Sequence, residues 1–173
     1  MNNNSLRFQK KTIACAVLAA LGVALGGSAE AASSATQDVD ITVQSVNEIS
    51  VGGTVTLTIN SATAGQNPTG TTTSTYAITT NSATGKKITA QLVAPLDTGL
   101  TLSVFLQAPS GATSSGSLAA PVALSSSSAS DVVTSIEAVA ANGLTINYSA
   151  TATVAVTPNT YSADVTYTIT NDS

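Results

Sequence analysis

Apolar and polar residues alternate through the C-terminal part of the chain. Leu144, Ile146, Tyr148, Ala150, Ala152, Val154 and Val156 fall on one phase, with Thr145, Asn147, Ser149, Thr151 and Thr153 between them. A period of two points successive side chains to opposite faces of an extended chain, so this run predicts a half-buried strand. Thr157-Pro158-Asn159-Thr160 interrupts it with turn residues. Alternation resumes at Val165, Tyr167 and Ile169, against Asp164, Thr166, Thr168 and Thr170. The two runs read as an antiparallel hairpin closing the domain. Ile146, Tyr148, Val154, Val165, Tyr167 and Ile169 are its expected core face.

Shorter runs precede it. Val39, Ile41 and Val43 alternate with Asp38, Asp40 and Thr42. Val55, Leu57 and Ile59 follow Gly52-Gly53, with Thr54, Thr56 and Thr58 on the other phase. Tyr76 and Ile78 come after a Gly/Thr/Ser/Pro-rich loop expected over residues 61–74. Ile88, Ala90 and Leu92 follow a turn-rich stretch ending in Gly85, and Leu100, Leu102, Val104 and Leu106 follow Asp97-Thr98-Gly99. Short strands separated by regular turn signals predict an all-β antiparallel sandwich.

Residues 131–141 fit two descriptions. Val132, Val133, Ile136 and Ala140 have near-helical spacing, with Ser130 as a cap and Gly143 as a stop. The β-branched density of Val132-Val133-Thr134-Ser135-Ile136 favours a strand followed by a turn. The Ser/Ala/Gly-rich stretch 110–130 reads as a long connection with one short strand at Val122-Ala123-Leu124.

The N-terminus has a different pattern. Arg7, Lys10 and Lys11 form a basic head, residues 12–27 are an apolar or small-residue run, and Ala29-Glu30-Ala31 offers a cleavage site. This order predicts a secretory signal peptide over residues 1–31. The apolar run is short for a ~30 Å hydrocarbon core, which argues against a membrane anchor. Cleavage removes Cys15, the single cysteine, so the secreted part cannot rely on disulfides and needs core packing or assembly. Removing Arg7, Lys10, Lys11 and Glu30 from five basic and nine acidic residues leaves two and eight, a net charge of −6. Two lysines cannot neutralise a phosphate backbone, which excludes nucleic acid as a partner, and an anionic membrane surface on the same ground.

Catalytic constellations do not survive inspection. Asp97-Thr98-Gly99 contains the string of an aspartic-protease site, but that site needs two such carboxylates and only one occurs. The simpler reading is a turn. The expected secreted part has no His and no Cys, which removes nucleophile–histidine systems and zinc sites. Asp38 and Asp40 lie too isolated for a calcium loop and read as a solvated strand edge. Lys86-Lys87 reads as turn and strand-start chemistry. Tyr76, Tyr148 and Tyr167 sit on apolar phases, which favours the core over a sugar platform. Asn147-Tyr148-Ser149 matches a glycosylation sequon but falls mid-strand. No enzyme, cofactor or metal is expected.

The order of these pieces resembles the major pilins of alternate chaperone–usher fimbriae, the colonisation-factor type. The resemblance rests on the first aliphatic strand Asp38-Val39-Asp40-Ile41-Thr42-Val43, on Gly85-Lys86-Lys87-Ile88 after an Asn/Thr turn, and on Tyr161-Ser162-Ala163-Asp164-Val165 near the end. Ala163 stands where the family has glycine, and residues 110–130 do not match.

The resemblance implies an immunoglobulin-like sandwich that is incomplete and is completed by an N-terminal donor strand from another copy, after a periplasmic chaperone has held the site. Val39, Ile41 and Val43 would be the donor residues, in an extension over residues 32–48 that precedes a sandwich domain over residues 49–173. The implied function is a non-enzymatic structural subunit of a surface filament, secreted through the periplasm and self-associating. The alternative is a self-complete, monomeric secreted or cell-surface binding module in which the same first strand pairs within its own domain.

Overall fold

The computed structural model describes residues 34–172. The chain divides into two units, residues 1–41 and residues 42–173. In the first unit, described residues 34–41 form no helix or strand and are exposed. The expected signal peptide lies outside the described residues.

The second unit is all-β. Its strands are β1 (Asn47–Val51), β2 (Thr69–Thr80), β3 (Lys86–Leu92), β4 (Leu100–Leu106), β5 (Thr113–Ser114), β6 (Val122–Ala123), β7 (Ser130–Ile136), β8 (Val139–Ala152) and β9 (Val165–Asn171). They form two antiparallel sheets, ordered β1-β2-β8-β4-β6 and β5-β7-β3-β9. The β-branched reading of residues 131–141 holds: β7 ends at Ile136 and β8 begins at Val139, in the other sheet.

The core forms where the two inner faces meet. Tyr76 and Ile78 on β2, Val104 and Leu106 on β4 and Ile146 on β8 are buried against Ile88 and Ala90 on β3 and Val132, Val133 and Ile136 on β7. Each fully buried Ile or Leu contributes about 1.5–3 kcal/mol relative to exposure. In β3 the alternation is complete: Ile88, Ala90 and Leu92 are buried while Thr89 and Gln91 are not. Gly143, read as a stop, instead lies inside β8 at φ +64°, where the β2–β8 register shifts between Tyr76 and Ile78. The left-handed backbone there suits glycine and accommodates the bulge.

Four expectations need correcting. The runs around Ile146 and Val165 are not a hairpin, because β8 and β9 belong to different sheets. Val154 is not core: it is 88% exposed. β8 stops at Ala152, opposite Leu100, where β4 begins, and Thr151 lies opposite Thr69, where β2 begins. Beyond Ala152 one more backbone bond forms, Thr153 N–H to the Gly99 carbonyl, and the chain then turns, Val156 N–H donating to the Thr153 carbonyl. Residues 54–59 form no strand, and β1 lies upstream of them at Asn47–Val51. The loop expected over residues 61–74 is shorter, since β2 starts at Thr69.

Candidate functional site

On one side of the sandwich the two edge strands are β1 and β9. β4 and β6 approach β7 on one side, and β1 approaches β9 on the other. β9 pairs only with β3, from Lys86↔Asn171 to Leu92↔Val165, leaving its second edge without a ladder. Its inner-phase residues Val165, Tyr167 and Ile169 pack on the core but stay half-buried, whereas their β3 neighbours Leu92, Ala90 and Ile88 are buried.

The opposing edge is β1, which pairs only with β2, and the chain that continues from it. Val51 pairs with Tyr76, and Gly52 N–H donates to the Thr75 carbonyl at 2.8 Å. A Cβ on Gly52 would lie 2.5 Å from Ser74 Oγ, so a side chain there would make the Ser74 hydroxyl turn away. From residue 53 to residue 62 no backbone–backbone hydrogen bond forms among the described residues. Leu57 and Ile59 are nevertheless half-buried. They cross close to buried Gly70, where a Cβ would lie 2.4 Å from the Thr58 carbonyl and 2.9 Å from Leu57. Only the absence of a side chain at Gly70 admits this crossing.

Both open edges occupy the same end-to-end span. Gly70 pairs with Ala150 and Ala150 with Leu102. Leu124 N–H donates to the Leu102 carbonyl, Leu92 N–H to the Ser125 carbonyl, and Leu92 pairs with Val165. Gly70 and the start of β9 therefore share one end of the sandwich. At the other end, Asn47 pairs with Thr80 and Lys86 with Asn171.

Two phenols cross the layers beside this side. Tyr167 hydroxyl donates to Tyr148 hydroxyl at 2.9 Å, linking β9 to β8. Burial pushes both phenols above the usual tyrosine range. The shared bond raises Tyr167 further, as its proton is held, and offsets part of the rise on Tyr148. Tyr76 hydroxyl donates to the Gln107 carbonyl at 2.6 Å, and its pKa is pushed up to about 12 by burial. Tyr76 is buried, and Tyr148 and Tyr167 are half-buried against the core.

The sequence-predicted residues divide. Ile146 is fully buried; Tyr148, Val165, Tyr167 and Ile169 are half-buried around the open side; Val154 is outside it. Val39, Ile41 and Val43 are 72%, 83% and 79% exposed and carry no strand. Asp97-Thr98-Gly99 is a turn, with Leu100 N–H bonded to the Asp97 carbonyl and Gly99 at φ +94°. Lys86 amine donates to Asn171 Oδ1, and Lys87 pairs with Asp131 at 3.2 Å. No three His, Cys, Asp or Glu side chains among the described residues are placed to hold a metal.

Sequence reading missed the second edge. The alternation of Val55, Leu57 and Ile59 signals extended chain, but whether a ladder forms depends on where Gly52-Gly53 sends it. No protein-family model and no curated protein matches the chain.

Proposed function

We propose that this chain is a non-enzymatic structural subunit of an extracellular filament, assembled by strand exchange. Residues 37–44 of one copy enter the open side of the next, with Val39, Ile41 and Val43 facing inward. The observation that carries this reading is the pair of unpartnered edges, β9 and β1 with the chain that follows it, and the half-buried Val165, Tyr167 and Ile169 on the first. An extended segment between them would gain ladder hydrogen bonds on both sides, while alternate side chains cover the exposed apolar surface. The exposed Val39, Ile41 and Val43 supply that alternation and have no other cover.

Contacts of this kind run head to tail and do not close, which produces filaments. The reading includes export under the N-terminal signal, a periplasmic chaperone covering the open side in transit, and an immunoglobulin-like completed sandwich at the cell surface. The competing reading, a self-complete monomeric binding module, draws on the fully buried core that the single chain already has.

Size-exclusion chromatography and melting curves separate them. Strand exchange predicts concentration-dependent polymers of the mature chain, loss of polymers with Ile41→Asp, and stabilisation of that variant by a free peptide of residues 37–44. A full chain that stays monomeric at high concentration and ignores the peptide rejects the filament and leaves the module.

A further inference from the structure

We infer that Lys87 receives the Asp38 carboxylate of an incoming second copy, and that this pairing fixes the direction and register of the inserted strand. The inference rests on the strand-exchange reading. Among the described residues Lys86 and Lys87 are the only cations, against eight acidic side chains. Copies with that balance repel one another unless the few cations stand where the partner arrives. They do: both lie at the start of β3, next to β9, whose other edge is open.

Direction follows from the ladder. β9 ends at the lysine end, with Lys86 opposite Asn171 and Lys87 opposite Thr170. An incoming strand antiparallel to β9 brings its own N-terminal end there. Antiparallel pairing is also slightly the more stable per residue. Setting Val39, Ile41 and Val43 beside Ile169, Tyr167 and Val165 keeps all six on the inner phase. Asp38 then falls beside Thr170, in one rank with Lys87 on the outer face. The two are separated by two strand spacings, roughly 10 Å, which a long lysine stem and a carboxylate arm span together.

Asp40 falls one step along, beside Thr168, whose β3 neighbour is Thr89, a residue without charge. The inserted strand therefore has one matched carboxylate and one unmatched. A parallel strand would instead leave Asp38 at the far end, away from both lysines. Lys87 holds Asp131 of β7 at 3.2 Å, on the side of β3 away from β9, so an incoming Asp38 draws the ammonium from Asp131 toward β9.

A double-mutant cycle tests this with the full chain carrying Ile41→Asp as acceptor and the free peptide of residues 37–44 as probe. Peptide Asp38→Asn should bind roughly two- to fivefold more weakly at low salt, as for an exposed ion pair. The difference should shrink as salt screens it. Acceptor Lys87→Gln should produce the same loss, Lys87→Arg should restore affinity, and the combined change should cost no more than either alone. Asp40→Asn should show no coupling to Lys87. Additive effects of Asp38→Asn and Lys87→Gln, or coupling of Lys87 to Asp40 instead, overturn the pairing while strand exchange stands. An unmodified peptide that does not bind overturns both.

Discussion

Tyr167 on β9 donates its hydroxyl proton to Tyr148 on β8 across the two layers, at 2.9 Å. β9 is otherwise tied only to β3, so this bond fastens an edge strand to the opposite sheet. It also fixes the ring of Tyr167 at the centre of the open side, between Val165 and Ile169. Losing one hydroxyl strands the other in a partly buried place, and such a loss costs about 1–3 kcal/mol. Tyr148→Phe should lower the urea midpoint accordingly. Loss of the Tyr167 hydroxyl should cost a similar amount, and the double Phe variant less than the sum, because both changes remove one bond.

The core prediction rests on Ile146, fully buried between the layers. Ile146→Ala should cost about 2–5 kcal/mol. Val154→Ala should stay within about 0.5 kcal/mol, as its side chain is in solvent. Denaturation midpoints of the two variants measure the contrast directly.

Gly70→Ala tests the crossing of residues 57–59. The new methyl would overlap the Thr58 carbonyl and the Leu57 side chain. Backbone must move, at about 1–3 kcal/mol for an overpacked site. Hydrogen exchange should localise the change to residues 53–62 and the start of β2, with β3 and β7 unaffected.

Alkali should unfold the protein through its phenols. Tyr76 is raised to about 12, so its neutral form is favoured in the folded state. Its contribution is complete below the unfolded value of about 10 and is lost as pH rises through the folded one. Melting temperature followed together with phenolate absorbance should be flat up to about pH 10 and fall above it. In Tyr76→Phe that slope should lessen.

Gly99 should resist replacement. It sits at φ +94°, and a Cβ there would lie 2.5 Å from Thr153 Oγ1. Gly99→Ala combines a strained backbone with a collision, so a loss of about 1–3 kcal/mol is expected, read from the urea midpoint.

Much of this protein was legible in its sequence. Period-two alternation located β3, β4, most of β8 and β9 and assigned Ile88, Val104, Ile146 and Tyr167 to inner phases, because the pleat itself dictates which side chains share a face. β-branched density at Val132-Val133 gave β7, and the Asp97-Thr98-Gly99 turn followed from residue type. Pairing was decided only in three dimensions. Alternation looks the same in β8 and β9, yet they went to different sheets, because the partner of a strand is chosen by long-range packing. Val154 kept the apolar phase but lost its burial, since β8 can run no further than Leu100 and Thr69 accompany it. Residues 54–59 alternate like a strand and make no ladder, because Gly52-Gly53 leads them off β2 and Gly70 lets them cross. Periodicity fixes which way side chains point; hydrogen-bond partners of an extended segment depend on chain that is distant in sequence.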